Sequence, residues 1–246
     1  MSENNLDKYI QENDYFKFRG ITPKSYKNYR FPGYLEKVIP KDKSAKILDI
    51  GCGFGQLLLK LKKRGYVNAK GMDISKESCS CCKSQGLNVE KIKDILGYCK
   101  RTKEKYDLII MSHILEHIEK NETIQNLTAI RKNLLTEKGK ICIIVPNAQS
   151  NTGSYWFFED FTHKTLFTSG SLLYVLGSAG FKNIKFLDKQ GTEGFNFIVR
   201  LIRKLFYPVY FINKLVWNRI TSSGYHGPSP VIFTGELKAL AERGNI

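Results

Sequence analysis

Acidic residues are scarce in this chain of 246 residues. It has 23 aspartates and glutamates against 39 lysines and arginines, so its formal net charge is +16. Such an excess predicts an anionic partner or an anionic environment. The chain also lacks internal repeats, low-complexity tracts and any recognisable RNA-binding module. A nucleic acid polymer is therefore not expected as a partner, and a small anionic ligand is the preferred interpretation.

The six cysteines lack the spacing of a metal site. Cys79, Cys81 and Cys82 form a tight cluster without paired Cys-x-x-Cys spacing, and the other three are isolated along the chain. No signal peptide is recognisable, which predicts a reducing, cytoplasmic environment with free thiols. No metal ion is expected from these patterns.

The chain also lacks an apolar run that is long and uncharged enough to cross a bilayer. The longest amphipathic stretch, residues 195–217, contains Pro208, which is expected to break a helix. We expect a pair of helices that cover a ligand pocket or form a homodimer contact. Peripheral contact with a membrane surface is the alternative, because aromatic and basic residues are mixed here. The basic residues are Arg200, Arg203, Lys204 and Lys214.

Residues 46–56 are the most informative stretch, because one acidic residue and three alternating glycines join a predicted buried strand to a helix. Gly51, Gly53 and Gly55 permit a sharp turn and a close approach of the backbone to a ligand. No Lys-Ser/Thr pair follows, so the turn is not a P-loop, and Gly55 comes one residue too early for the dinucleotide fingerprint. Asp49 suits a ligand that carries an amino group. An ordinary strand-to-helix turn or another nucleotide fold is the alternative.

These four residues resemble the first motif, acidic-x-Gly-x-Gly-x-Gly, of the class I S-adenosylmethionine-dependent methyltransferases. The resemblance implies an α/β, Rossmann-like fold with a seven-stranded, mostly parallel sheet and an antiparallel last strand. It also implies S-adenosylmethionine as cofactor and S-adenosylhomocysteine as product. Cys52, inside the turn, is included among the predicted cofactor-binding residues.

Acidic residues after two further predicted strands extend the expected cofactor site. Asp73 ends the second strand, where a carboxylate can accept both ribose hydroxyls. By the same resemblance, Ile74 would lie against the adenine ring, and Asp94 and Ile95 would lie near its amino group. The alternatives without ligand binding are helix capping by Asp73 and a solvated loop at Asp94.

The apolar run over residues 105–111 predicts a strand that is covered on both faces of a parallel sheet. Ser112 and His113 follow at its carboxyl end, where open α/β sheets bind ligands. The string Ser-His-Ile-Leu-Glu-His-Ile resembles the fourth motif of small-molecule methyltransferases. Ser112 is therefore predicted to contact the cofactor, and His113 to act in catalysis or to line the methionine pocket.

The remaining core elements are predicted from periodicity and turn residues. A helix is expected over residues 124–135, a turn at 138–140 and a buried strand over 141–147 that ends at Pro146. A Thr-x-x-Ser start predicts a helix over 169–179. A sixth strand is expected over 183–188, and an antiparallel seventh near 237–241.

Residues 155–168 are predicted to form the acceptor side of the site. The order Asp160-Phe161-Thr162-His163, after an aromatic cluster, resembles methyltransferases of surface-polysaccharide biosynthesis. His163 is predicted to take a proton from an attacking hydroxyl, with Asp160 beside it. A histidine that only pins this loop by hydrogen bonds is the alternative.

Four segments are predicted: an N-terminal helical arm (1–40), the cofactor-binding core (41–190), a basic amphipathic insertion (191–230) and a closing strand (231–246). Arg19, Tyr26 and Arg30 are candidate contacts of the arm with the cofactor.

The predicted activity is O-methylation of a small anionic acceptor for surface or capsular polysaccharide. The acceptor classes are a sugar, a sugar nucleotide, or a nucleotide-linked decorating group such as a phosphoramidate. The alternatives are a membrane-associated quinone or lipid methyltransferase, an RNA methyltransferase and a non-catalytic cofactor-binding scaffold. A position at the inner face of the membrane is the alternative to a purely cytoplasmic one.

Overall fold

A computed structural model describes residues 19–26, 29–193, 196–227 and 229–244. Seven strands form one sheet in the order β3-β2-β1-β4-β5-β7-β6. All neighbouring pairs are parallel except those that involve β7, which is antiparallel to both β5 and β6. This is the predicted Rossmann-like fold. The strands are β1 Ile47–Ile50, β2 Ala69–Asp73, β3 Val89–Lys91, β4 Tyr106–Ser112, β5 Leu135–Pro146, β6 Lys182–Phe186 and β7 Glu236–Glu242.

Within the described residues, eight α-helices connect or flank these strands. They are α1 Gly33–Glu36, α2 Gln56–Lys63, α3 Lys76–Ser84, α4 Ile95–Arg101, α5 Thr123–Asn133, α6 Gly153–Glu159, α7 Ser169–Ser178 and α8 Phe197–Ile220. Short 3-10 helices occupy Pro23–Tyr26 and Leu115–His117. The predicted Thr-x-x-Ser start is a capping box at α7, in which Thr168 accepts from the Ser171 N–H.

Both faces of the sheet are buried. Successive side chains of a strand point to opposite sides, so neighbouring residues enter different apolar clusters. Leu48 of β1 and Ile109 of β4 pack in one apolar cluster, whereas Ile47 and Leu108 pack in another. The central strands are continuous runs of Ile, Leu, Val and Met for this reason. Asp49, between Leu48 and Ile50 of β1, is a buried polar exception within such a run.

The fifth strand is longer than predicted. It begins at Leu135 and includes residues 138–140, which were expected to form a separate turn. Tyr106 pairs with Leu135 and Leu108 with Lys140, so the ladder holds an irregularity at this point. The turn residues are therefore absorbed into the strand as a bulged segment. Pro146 ends the strand, as predicted.

The insertion contains a single helix of 24 residues, not the predicted pair. Pro208 lies inside α8 without ending it, and none of the helix residues is buried. Proline removes one helical hydrogen bond and crowds the preceding turn. Pro208 is exposed, so the backbone carbonyl that loses its helical partner can bind water instead.

The two edge strands differ from the core strands. β3 has three residues, and β6 has Lys182 and Lys185 facing solvent. β6 also carries a register shift between these two lysines. The arm predicted over residues 1–40 lies only partly within the described residues. Residues 1–18 and the Tyr26 side chain lie outside them.

Candidate active site

The carboxyl ends of β1, β2 and β4 meet at one edge of the sheet. Ile50, the last residue of β1, pairs with Met72 on one side and with Met111 on the other. The glycine turn after β1 therefore lies between Asp73 and Ser112, which end the neighbouring strands. Three of the predicted cofactor segments are thus brought together by the strand register.

The Asp73 carboxylate holds the glycine turn in place. Its Oδ2 accepts the Gly53 N–H at 2.8 Å, and its Oδ1 accepts the Ser75 N–H at 2.8 Å. Ser75 in turn caps α3 by accepting from the Ser78 N–H. Asp73 therefore links the turn after β1 to the start of the helix after β2. Ser75, and not Asp73, is the residue that caps the helix.

The turn leaves a space that a ligand can fill. Gly53 has φ 51°, and a Cβ added there would meet nothing closer than Gln56 Oε1 at 3.9 Å. This Gln56 oxygen is buried and has no hydrogen-bond partner within the described part of the chain. At Gly51 the situation is different, because a Cβ would lie 2.0 Å from Ile114 Cδ1. Gly51 thus permits packing of the chain on itself, and Gly53 borders open space.

Two buried carboxyl groups flank this space. Burial raises the pKa of Asp49 to about 8, and the nearby Asp73 carboxylate adds to the shift. Burial also raises the pKa of Asp73, against the effect of its hydrogen bonds from Ser75 and Gly53. A site that disfavours two negative charges suits a ligand that carries positive charge and hydroxyl donors. The ammonium, sulfonium and ribose groups of S-adenosylmethionine fit that description.

Tyr29 is a neighbour of Asp49 that the sequence analysis missed. Burial raises the pKa of its hydroxyl, and the charge of Asp49 contributes to the shift. Tyr29 therefore lies close enough to Asp49 to sense its charge. Only its place in the aromatic N-terminal segment could have suggested this position.

The other predicted cofactor residues occupy less direct positions. Cys52 is buried in the apolar cluster behind the turn, so only its backbone borders the ligand space. Ile74 and Ile95 are half-buried against the core. Asp94 is exposed and caps α4 by accepting the Gly97 N–H at 2.6 Å. An adenine contact through its second carboxylate oxygen stays a prediction.

His113 lies between two carboxylates beyond β4. Its Nδ1 is 3.2 Å from Glu116 Oε1, and its Nε2 is 3.1 Å from Glu236 Oε1. Although burial opposes the charged form, these hydrogen bonds raise the pKa of His113 to about 10. A charged imidazole has no lone pair, so this residue is suited to positioning Glu116 rather than to accepting a proton.

The predicted Asp160–His163 segment packs against the 3-10 helix Leu115–His117. The backbone N–H groups of Lys164 and Thr165 donate to the Glu116 carbonyl oxygen. The imidazole rings of His117 and His163 meet edge to face, with their centroids 4.8 Å apart. The Asp160–His163 segment is therefore fixed against the motif that follows β4.

Asp160 organises this segment. Its Oδ1 accepts from the Thr162 hydroxyl at 2.6 Å, and its Oδ2 is 3.8 Å from His163 Nε2. Arg19 pairs with Asp160 at 3.3 Å, so the predicted arm residue reaches the acceptor side. Of the other arm candidates, Arg30 is exposed.

Glu116 and His117 belong to the site but were given no role from the sequence. Glu116 is fully buried, and burial lowers the pKa of His117, with His163 contributing. One sequence signal could have indicated their role: a glutamate lies between two histidines shortly after a buried strand. The sequence alone could not show that residue 163 returns to the same place.

The chain belongs to the class I S-adenosylmethionine-dependent methyltransferases. It matches the sequence profile of the methyltransferase domain family over residues 25–185. The cofactor of this family is S-adenosylmethionine, and the glycine turn with its two carboxyl groups fits that molecule.

Curated relatives and a solved structure agree with this family. A mitochondrial ubiquinone biosynthesis O-methyltransferase from Candida albicans is 30% identical over 88 residues, which are 33% of this chain and 27% of that protein. Norajmaline N-methyltransferase from Rauvolfia serpentina is 31% identical over 90 residues, 34% of this chain and 30% of that protein. The chain thus spans under a third of either relative. A methyltransferase structure from Archaeoglobus fulgidus superposes with a TM-score of 0.62 and 24% identity, covering 92% of this chain and 96% of that one.

We predict that Asp49→Asn stabilises the ligand-free protein more as the pH rises. The folded state keeps Asp49 protonated between its ordinary pKa and about 8, so stability of the native protein falls with rising pH in that window. The loss is at most about 1.4 kcal/mol per pH unit, and the asparagine variant does not incur it. Thermal unfolding midpoints of both proteins from pH 5 to 8 measure the difference. A difference that does not change with pH would contradict the assignment.

Proposed function

We propose that this chain transfers a methyl group from S-adenosylmethionine to an oxygen of a small anionic acceptor. The acceptor classes are a sugar, a sugar nucleotide, or a nucleotide-linked decorating group such as a phosphoramidate, used for surface or capsular polysaccharide. One observation carries the proposal: the Asp160–His163 segment lies against the motif that follows β4, next to the glycine turn. Cofactor and acceptor machinery thus share one edge of the sheet.

The cofactor is held by residues at the ends of three strands. When bound, S-adenosylmethionine supplies a methyl group that is already activated by its sulfonium. Asp49 faces the ammonium group, Asp73 accepts the ribose hydroxyls, and Ser112 borders the methionine portion. Gly53 allows the backbone to approach the ligand, since no side chain occupies the space above it. The chain's own task is then to orient the acceptor and to receive its proton.

The acceptor oxygen lies beside His117 and His163. Burial lowers the pKa of His117, so its imidazole is neutral at physiological pH and can accept a proton. Exposed aromatic side chains on and after α6 offer stacking surfaces for a sugar or a base. They are Tyr155, Trp156, Phe158 and Phe161. The Trp156 carbonyl contacts His163, which connects the aromatic segment to the histidine pair.

Two features favour an anionic acceptor. The net charge of +16 raises the local concentration of anions around the chain. A cleft of about 370 Å³ lies between α8 and the segments that follow β5 and precede β7, and Arg203 is part of its lining. Gly235, at the rim of this cleft, directly precedes Glu236, the partner of His113. The cleft therefore adjoins the proposed reaction site.

We predict that Gly53→Ala reduces the affinity for S-adenosylhomocysteine at least tenfold, because the new methyl group fills the ligand space. Gly65→Ala is the matched control. Gly65 also has a positive φ and open space around it, but it lies after α2, away from the site. Both variants carry similar backbone strain. Calorimetric titration measures the affinities, and equal losses in the two variants would contradict the cofactor assignment.

Methyl transfer to oxygen is tested with a panel of acceptors. We expect the protein to methylate at least one nucleotide sugar or nucleotide-linked phosphoramidate, detected as a gain of one methyl group by mass spectrometry. Nuclear magnetic resonance of the product then identifies the methylated atom. Gly53→Ala serves as the cofactor-deficient control. Methylation of amines alone would overturn the oxygen assignment, and methylation of quinone precursors alone would favour the second candidate.

The second candidate is a membrane-associated methyltransferase for a quinone or another lipid. The observation that favours it is the outward face of α8, where large apolar side chains are 39–77% exposed. The opposite side contacts the protein, with Tyr210 and Phe211 against Phe233. Arg200, Lys204 and Arg219 are exposed on the same helix, which suits an anionic lipid surface. No helix among the described residues is long and apolar enough to cross a membrane.

For this second candidate we predict co-sedimentation with vesicles that contain an anionic lipid. Replacing Leu205 and Val209 together by aspartate should abolish it, because both residues lie on the outward face of α8 and are over 60% exposed. Val67→Asp is the control, since Val67 is 81% exposed in a loop outside α8. If the protein does not bind vesicles but forms dimers that the double variant disrupts, this face is a homodimer contact instead.

A further inference from the structure

Three side chains with unused lone pairs converge on the acceptor side. One potential ligand atom from each of Glu116, His117 and His163 lies within 4.8 Å of those of the other two. Two of the chain's four histidines therefore meet a buried carboxylate at one point. Glu116 is fully buried, and its Oε2 has no hydrogen-bond partner among the described residues.

The hydrogen bonds around His117 determine which of its nitrogens carries the proton. The Thr162 hydroxyl donates to Asp160 Oδ1, so Thr162 Oγ1 must accept from His117 Nδ1–H at 2.9 Å. The neutral ring then has its lone pair on Nε2. The Thr162 carbonyl oxygen, 3.3 Å from Nδ1, can only accept and therefore supports the same tautomer.

His163 is held in the same way. Its Nδ1 is 2.8 Å from the Trp156 carbonyl oxygen, which can only accept, so Nδ1 carries the proton and Nε2 the lone pair. On Glu116, His113 occupies Oε1 and leaves Oε2 unused. Each of the three side chains is therefore oriented through its second polar atom. This is the arrangement found around metal ligands, whose outer atoms are fixed by backbone carbonyls and neighbouring side chains.

We propose that Glu116, His117 and His163 bind a divalent metal ion of the Mn²⁺ to Zn²⁺ series. Two imidazoles and one carboxylate are a donor set typical of these ions, whereas Mg²⁺ and Ca²⁺ favour oxygen ligands. Ligand atoms about 2.1 Å from a tetrahedral ion lie about 3.4 Å from one another, so atoms up to 4.8 Å apart draw together by up to about 1.4 Å on binding.

The proposal rests on the proposed function for its catalytic consequence. Three protein ligands leave coordination positions open, and an acceptor hydroxyl can take one of them. A bound ion would lower the pKa of that hydroxyl, and its proton would pass to solvent. The oxygen would then form its bond to the methyl carbon as the carbon–sulfur bond breaks and S-adenosylhomocysteine leaves. The two histidines act as ligands in this scheme, and the ion replaces them as the agent that activates the acceptor.

The expectation of no metal ion considered cysteine spacing and paired acids, and neither pattern bears on a set of one glutamate and two histidines. Residues 116–117 and 163 come from two segments of the chain, and their approach depends on the backbone bonds from Lys164 and Thr165 to Glu116. The six cysteines are free thiols, and they would compete for Zn²⁺ in any titration. Mn²⁺ is therefore the better probe, since thiolates bind it weakly.

Titration of chelator-treated protein with Mn²⁺, followed by electron paramagnetic resonance, tests the proposal. We expect one equivalent to bind, with nitrogen modulation from coordinated imidazole in the pulsed spectrum. Glu116→Gln and His163→Ala should each weaken binding at least tenfold. His226→Ala is the matched control, because His226 is exposed in the loop after α8 and should leave binding unchanged.

S-adenosylhomocysteine titration of the same samples separates this inference from the proposed function. A variant that binds S-adenosylhomocysteine like the wild type is folded, so its Mn²⁺ affinity is interpretable. Cofactor binding without Mn²⁺ binding by the wild-type protein would overturn the metal site and leave the methyltransferase proposal intact. Mn²⁺ binding that Glu116→Gln and His163→Ala both retain, or that shows no nitrogen coordination, would also overturn it.

Discussion

The carboxylate of Asp73 is the interaction on which the rest of the site depends. By accepting the N–H groups of Gly53 and Ser75, it joins the ends of β1 and β2 into one rigid edge. A buried carboxylate costs free energy unless it is hydrogen-bonded, and these two bonds provide the compensation. The bond from the Gly53 N–H also holds the glycine turn in place. Loss of this carboxylate would therefore affect the fold of the turn as well as ligand binding.

The acceptor side is attached to this edge through short contacts. Ile114 packs over Gly51, and the Glu116 carbonyl anchors the start of the segment after His163. Movement of the 3-10 helix Leu115–His117 would therefore shift both the turn and the histidine pair. Chemistry at such a site depends on a fixed distance between two ligands, and rigid packing of this kind supplies it.

Local patterns were sufficient to predict most of the fold. The run before Gly51 and the run before Ser112 are apolar because both faces of their strands are buried, so strand position and ligand edge could be read together. Where packing decides the outcome, the prediction was wrong. Pro208 lies exposed within α8 without ending the helix, and residues 138–140 join β5 because β4 pairs with Leu135 before them and with Lys140.

The candidate site was predictable only in part. Asp49, Gly53 and Asp73 follow a contiguous motif and a fixed strand spacing, which is why the sequence could predict that they meet at one edge of the sheet. Glu116, His117 and His163 meet only through the course of the chain between α6 and α7, which no local pattern encodes. The ion pair of Arg19 with Asp160 likewise joins two segments that are far apart in the sequence. Their roles therefore depend on tertiary contacts and had to come from the structure.

The short and charged edge strands described for this sheet bear on how copies of the chain can meet. An exposed strand edge can pair with the edge of another molecule and extend the sheet. With three residues, β3 offers few free backbone groups, and Lys182 and Lys185 would bring like charges together along β6. Growth by strand addition is therefore disfavoured at both ends. Contacts between copies through the described part of the chain are therefore expected to use side-chain surfaces instead of a shared, continuous sheet.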